Sequence, residues 1–481
     1  MQNPYNLVIL HINPVDCNNY YYMAEIIKIK KGLDIPLRGE ASPEHKTDTE
    51  TKLFGIVPDD FPGYKWKCAV KAGDRVSVGS PLLYSKDNER IKLVSPVSGI
   101  VGEVRRGERR KIETVTIEAD VAGGKPASGD YLYFGASDGK DAPVDFTDRQ
   151  KTLDLLCESG MFALLRQRPF DIVPDPAVAP RDIFVTAFDS APLAGPLIAP
   201  PMQELHEKGL EVLARLTDGN VFLGVPYDSA LTSKAAKVYE FQGPHPAGNV
   251  GVQINRIKPV NRGETVWTLD SRTVVRIGTL FATGHIDSAA EVCLCGDMAQ
   301  RPQYVDTRAG CSLRTLLADG IKTGEGKVRT ISGNVLTGIK EDPASGFLRY
   351  PYRQITLISE GDKADEFMGW ASLKPDHFSV KRSFPAFLLG KRGRYRFDSR
   401  LRGGQRAMIL SGEMDKVFPM DVYPEFLLKA IMAGDIEKME QLGIYEVAPE
   451  DFALPEFVDT SKEPLQQIVR DGLDKLRQEL S

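Results

Sequence analysis

The side chain best placed to do chemistry in this sequence is His245, held between Pro244 and Pro246 in the run GPHPAG at 243–248. Two prolines restrict the backbone around it, so the imidazole is oriented before any ligand arrives. A structural hydrogen bond inside the loop is the plainer role for the same residue. Gly243 and Gly248 free the backbone where the prolines fix it, so the segment is expected to press against another surface rather than run through a helix or strand.

Other chemistries have less to stand on. His11, His45, His206, His245, His285 and His377 show neither H-x3-H nor H-E-x-x-H spacing, so no metal site is expected. Six cysteines, at 17, 68, 157, 293, 295 and 311, give no disulfide framework and suit a reducing cytoplasm. Cys293 and Cys295 fall in the apolar run EVCLC, where they are expected to be two small buried residues with sulfurs on opposite faces of a strand. The carboxylates are too dispersed to single out an acid/base pair.

Composition narrows the class further. A chain of 481 residues with 42% apolar residues can bury several cores, and a net charge of −5 argues against general nucleic-acid binding. No window reaches the roughly 18 to 20 apolar residues of a membrane-crossing helix. Charge is nonetheless polarised near the C-terminus. Residues 379–408 carry nine Lys or Arg against one Asp, and residues 412–459 carry twelve Asp or Glu against three Lys. Two readings stay open: the basic run, interleaved with aromatics, attracts anionic lipid or a membrane partner, or the two blocks pair with each other.

The elements that must carry these residues read as an α+β multidomain chain. Short alternating runs from Glu25 to about Asp120 predict a small β unit. Next, DIFVTAF and NVFLGVP predict buried strands, while MQELHEKGLEVLARL and SKAAKVY predict helices, an alternation that implies a parallel α/β layer. The loop after DIFVTAF lacks G-x-G-x-x-G, which disfavours dinucleotide binding. Strand signals return in RTISGNVLTG and RQITLISEG, around a helix-like SLRTLLAD. Beyond Pro419 helices dominate, with Asp435 an expected N-cap and a last helix showing Leu465, Ile468, Val469, Leu473, Leu476 and Leu480 on one face.

Residues 243–284, IKKGLD at 29–34, SPVSG at 95–99 and RTISGNVLTG at 329–338 closely resemble the A subunits of the Na⁺-translocating NADH:quinone oxidoreductase (Nqr complex), a bacterial membrane assembly. VKAGDRVSVGSPL and SPVSGIVGEV likewise resemble the two halves of a barrel-sandwich hybrid, with Lys86 in the intervening hairpin of what reads as a structural copy, not a modified carrier. The resemblance implies a disordered arm or mis-assigned start at 1–22, a barrel-sandwich hybrid at 23–135, a Rossmann-like α/β domain at 136–290, a β-grasp domain at 291–375 and a C-terminal helical domain at 376–481.

It also implies a function. The chain is expected to be a peripheral component on the cytoplasmic face of the bacterial inner membrane, partnered by the other Nqr subunits, especially the membrane-embedded ones. NADH, flavins and iron–sulfur centres belong to those partners, and no tightly bound cofactor is expected in this chain. The isolated chain is not expected to be catalytic. A place near the quinone site makes quinone a candidate ligand, with His245 and Trp267 as candidate contacts. The rival expectation is a pure scaffold of this or an Rnf-like complex. The related Rnf C subunit carries two C-x2-C-x2-C-x3-C-P runs, and its spacing falls here on Met408, Ser411, Met414 and Phe418, then on Val447, Glu450, Ala453 and Phe457. None is a cysteine, so these read as lost cluster positions.

Overall fold

The computed structural model describes residues 24–125, 130–135, 141–198, 202–362, 378–380, 388 and 393–480. The arm expected at 1–22, His11, Cys17, His377 and most of the basic run before Gly393 lie outside the described residues.

β-Branched and aromatic runs make three inner strands of the central layer, a six-stranded sheet in the order Glu25–Lys28, Lys237–Gln242, Val221–Pro226, Ile183–Thr186, Val266–Asp270, Arg166–Arg168. The first five are parallel and the last is antiparallel to its neighbour. Alternation along the strands splits the core in two. Phe184 and Phe222 join Ile254 of the helix Val250–Ile257, whereas Ile183, Val185 and Leu223 join Leu210, Leu213 and Ile277 of the helices Gln203–Ala214 and Ser271–Thr283. These last two helices touch backbone to backbone. A Cβ on Gly278 would lie 1.8 Å from the Leu205 carbonyl oxygen, and one on Gly209 would lie 2.1 Å from that of Val274.

One element differs from expectation. SKAAKVY forms no helix: Ser233 Oγ accepts from the amides of Ala235 and Ala236, which turns the chain, and Lys237–Gln242 enters the sheet as a strand. The β-branched and aromatic residues of KVYEF outweigh the helix-favouring alanines before them.

Two small sheets form the N-terminal sandwich: Leu53–Ile56, Ile112–Ala119, Gly99–Arg106 and Arg75–Val76 in one, and Trp66–Cys68, Pro81–Ser85 and Lys92–Val94 in the other. Phe54, Leu82, Leu83, Ile91, Val115 and Ile117 fill the space between them. Lys86 is exposed in the hairpin between Ser85 and Lys92.

A second six-stranded sheet runs Ile339–Glu341, Val328–Ser332, Gln354–Ser359, Ala289–Cys295, Gln303–Arg308, His45–Thr47. Its Ala289–Cys295 strand corrects the cysteine expectation. Residues two apart on a strand share a face. The neighbouring Cys295 side chain lowers the Cys293 pKa, while burial raises that of Cys295 well above the usual thiol value.

The C-terminal helices Pro424–Ala433, Ile436–Gln441 and Leu465–Leu480 share an apolar core with Ile29, Phe241 and Val252 of the α/β layer, and Ala453–Val458 packs Leu454 and Val458 against Ile35. Asp435 caps its helix, accepting from the Lys438 amide at 3.1 Å. Leu465, Val469, Leu473 and Leu476 are buried and Ile468 is partly so, while Leu480 at the frayed end is exposed. Among the described residues no helix is long and apolar enough to cross a membrane.

Candidate functional site

The four internal parallel strands run, across the sheet, third, second, first, fourth in chain order, so the order reverses between Ile183–Thr186 and Val266–Asp270. Ligands of open α/β sheets bind outside the carboxyl ends of the strands at such a reversal. A cleft of about 530 Å³ opens there, bordered by Thr186 and Asp270. Every other layer closes on it: Asp60 from the sandwich, Cys293 and Tyr352 from the second mixed sheet, Glu450 and Arg470 from the C-terminal helices.

His245 lies in its wall, as its loop requires. A Cβ on Gly243 would sit 2.2 Å from the Ile29 carbonyl oxygen, and one on Gly248 would sit 2.7 Å from the Ser190 nitrogen, so GPHPAG does press against its neighbours. The His245 amide donates to Asp34 Oδ1 at 2.9 Å, its carbonyl accepts from Leu33, and Nδ1 pairs with Ser190 Oγ at 3.0 Å. Ser190 Oγ also accepts from the Gly248 amide at 2.9 Å. Burial lowers the imidazole pKa to about 4 against the opposing pull of Asp34, so the ring is neutral near pH 7. A neutral imidazole tied through one nitrogen can orient a polar ligand atom with the other; it is a poor resting acid.

Trp267 is placed differently. It is 1% exposed, meets Phe162 edge to face at 5.3 Å, and does not line the cleft. Its indole N–H has no partner among the described residues. The structure therefore brings His245 but not Trp267 to the cleft.

Sequence reasoning missed the charges in and behind its wall. Arg168, from the antiparallel edge strand, is buried with Nη1 on Asp451 Oδ2 at 3.0 Å and Nη2 on Glu450 Oε1 at 2.9 Å. One guanidinium thus serves two carboxyl groups. Glu450, surrounded by protein yet open to the cleft, is pushed up to about 8 by burial, with repulsion from Asp451, Asp171 and Asp189 opposing Arg168. Across the cleft, Arg353 Nη2 faces Asp270 Oδ2 at 3.4 Å. No local pattern marks these residues, because they meet only through the tertiary fold.

The eight positions expected to have lost cluster ligands divide between apolar packing and polar contacts. Met408, Met414, Phe418 and Val447 are buried in one apolar cluster, with Phe418 against Phe452 at 5.1 Å. Ser411 Oγ donates to Glu425 at 3.1 Å, Ala453 is buried at a helix start, and Phe457 packs near Phe397. Glu450 is the partner of Arg168. Of the basic run's described residues, Arg394 pairs with Glu40 and Arg396 with Asp297 and Glu325.

Three family profiles match along the chain, described as the NqrA N-terminal barrel-sandwich hybrid domain at 27–120, the NqrA second alpha/beta domain at 147–286 and the NQRA C-terminal domain at 292–341. Relatives named as the A subunits of Na(+)-translocating NADH-quinone reductases are similar to it throughout. That of Vibrio anguillarum is 36% identical over 461 residues, and that of Serratia proteamaculans is 34% identical over 464, each covering 94% of this chain and 100% of the relative. A third, from Rhodopirellula baltica, is 34% identical over 94% of this chain and 98% of its own length. The chain belongs to the family of A subunits of the Na⁺-translocating NADH-quinone reductase.

Proposed function

We propose that this chain is the peripheral A subunit of a bacterial membrane complex that oxidises NADH, reduces quinone and moves Na⁺, seated on the cytoplasmic face of the inner membrane. The carrying observation is the similarity to named A subunits over 94% of the chain, with the three matched domains in order along it. Its partners are then the other subunits of that complex, the membrane-embedded ones above all. In this reading the α/β domain is Rossmann-like, since its internal strands run third, second, first, fourth, and the second mixed sheet is a β-grasp.

The chain carries no tightly bound redox cofactor of its own, and flavins and iron–sulfur centres sit on partners. Support comes from Met408, Met414, Phe418 and Val447, whose thioether, phenyl and isopropyl groups fill the space that thiolates would need. Quinone is the ligand we propose for the cleft. Its size lies in the usual range of about 300 to 1,000 Å³ for small-molecule sites, and Phe188, Leu197 and Tyr350 offer apolar wall beside the neutral His245.

The purified chain tests this through the saturable quenching of its tryptophan fluorescence by a soluble quinone analogue. Loss of quenching in His245→Ala supports the cleft; quenching unchanged by that substitution removes it. A scaffold without a ligand is the second reading, favoured by the ion pairs of Arg168 and Arg353, which already occupy cleft charges with internal partners.

A further inference from the structure

We infer that His45, Glu291 and Asp306 form a site for one divalent cation of the zinc class at the rim of the cleft. The topology assembles it. Glu291 and Asp306 stand directly opposite each other on antiparallel strands, and His45 pairs in parallel with Tyr304, two residues from Asp306. With a side-chain period of two, all three project from one face of the sheet. The histidine comes from the N-terminal segment and Asp306 lies 261 positions later in the chain, which is why no spacing motif announces them.

The geometry suits a tetrahedral ion. Zinc binds nitrogen and oxygen at about 2.0–2.2 Å, which puts neighbouring ligand atoms about 3.4 Å apart. His45 Nδ1 lies 3.2 Å from Asp306 Oδ1 and 3.8 Å from Glu291 Oε2, and the three ligand atoms lie within 4.8 Å of one another. Stacking on Tyr304, with ring centroids 5.2 Å apart and planes 17° from parallel, holds the imidazole in place.

Charge supplies the independent observation. Like charges directly opposed across two strands repel. Among the described residues no Lys or Arg forms an ion pair with Glu291 or Asp306, Arg272 attracting Glu291 only from beyond that distance, so the His45 ring is the one basic group in contact with both. A divalent cation would neutralise the pair and leave His45 neutral, the form that ligates. Three protein ligands leave a fourth position for water, because His45 and Asp306 are exposed and Glu291 lines the cleft. Bound metal would also clamp the His45–Thr47 strand, three residues long, to the edge of its sheet.

The full chain, stripped with a chelator and then titrated with Zn²⁺ against a chromophoric competitor, tests the site. One zinc per chain is expected, with affinity at least tenfold weaker in His45→Ala and in Asp306→Asn, and a zinc-dependent rise in Tm that both variants lose. A Cys293→Ser/Cys295→Ser double variant keeps both effects. Asp306→Asn is nearly isosteric, so with an unchanged circular dichroism spectrum it decides the matter even where His45→Ala fails to fold. Absence of stoichiometric zinc, affinity in the two site variants equal to that of the unsubstituted chain, or loss of zinc in the cysteine variant overturns the inference.

Discussion

Arg168 and Asp451, 283 residues apart in sequence, meet at 3.0 Å with side chains 1% and 0% exposed. The contact joins the edge of the α/β sheet to the C-terminal helical layer, and Asp451 Oδ2 also accepts from the Ala448 amide at 2.8 Å. Docking of the helical layer therefore depends on a charge that has no alternative solvent.

Removing one partner should cost far more than the pair is worth. Arg168→Ala leaves Asp451 buried without its counter-ion, an effect of about 3–5 kcal/mol for such sites. Urea unfolding followed by circular dichroism should show this loss. Arg168→Met/Asp451→Leu should recover most of it, since an apolar pair of similar volume is often neutral.

Two buried imidazoles set an acid limit. Burial lowers both His245 and His206 to about 4, and His206 Nε2 pairs with Ser271 Oγ at 2.9 Å. Unfolding restores an ordinary value near 6.5, so between about pH 6.5 and 4 the unfolded chain binds more protons than the folded one. Stability is thus fully present above pH 6.5 and falls as pH drops towards 4, by up to about 3 kcal/mol for each ring. Glu450 acts in the opposite sense: it is raised to about 8, so its contribution is lost as pH rises from the ordinary carboxylate range through 8. Thermal unfolding against pH should show the acid-side slope reduced in His206→Asn.

Gly278→Ala should separate the two helices of the α/β domain. The new Cβ would meet the Leu205 carbonyl oxygen at 1.8 Å, and backbone cannot yield as a side-chain tip does. Overpacking of this kind costs about 1–3 kcal/mol or more. A matching drop in Tm is expected, whereas Gly263→Ala, at a turn with open space around it, should cost only the strain of its positive φ.

Isolated chain should hold neither iron nor flavin in stoichiometric amount. Met408, Met414, Phe418 and Val447 form packed core, and an iron–sulfur cluster there has no thiolate to bind. Elemental analysis and the visible spectrum check this; a paramagnetic centre ligated between positions 408 and 457 would contradict it.

Much of this architecture was legible because local chemistry agreed with the fold. The runs IFVT and VFLGV could only be buried strands, and Asp435 could only begin a helix. SKAAKVY misled because its alanines favour a helix that the neighbouring strand edge overrides. Cys293 and Cys295 were misplaced although strand periodicity alone puts them on one face. His245 was visible from its prolines. Its partner Ser190, the Arg168 triad and the His45 cluster were not, since each joins residues that only tertiary packing brings together.

Extraction of the membrane fraction in mild detergent, with a tag on this chain, tests the central claim most directly. The expected result is a multi-subunit assembly retained on the tag that oxidises NADH with quinone as acceptor and depends on Na⁺. Recovery of the tagged chain alone, with that activity in the flow-through, would contradict it.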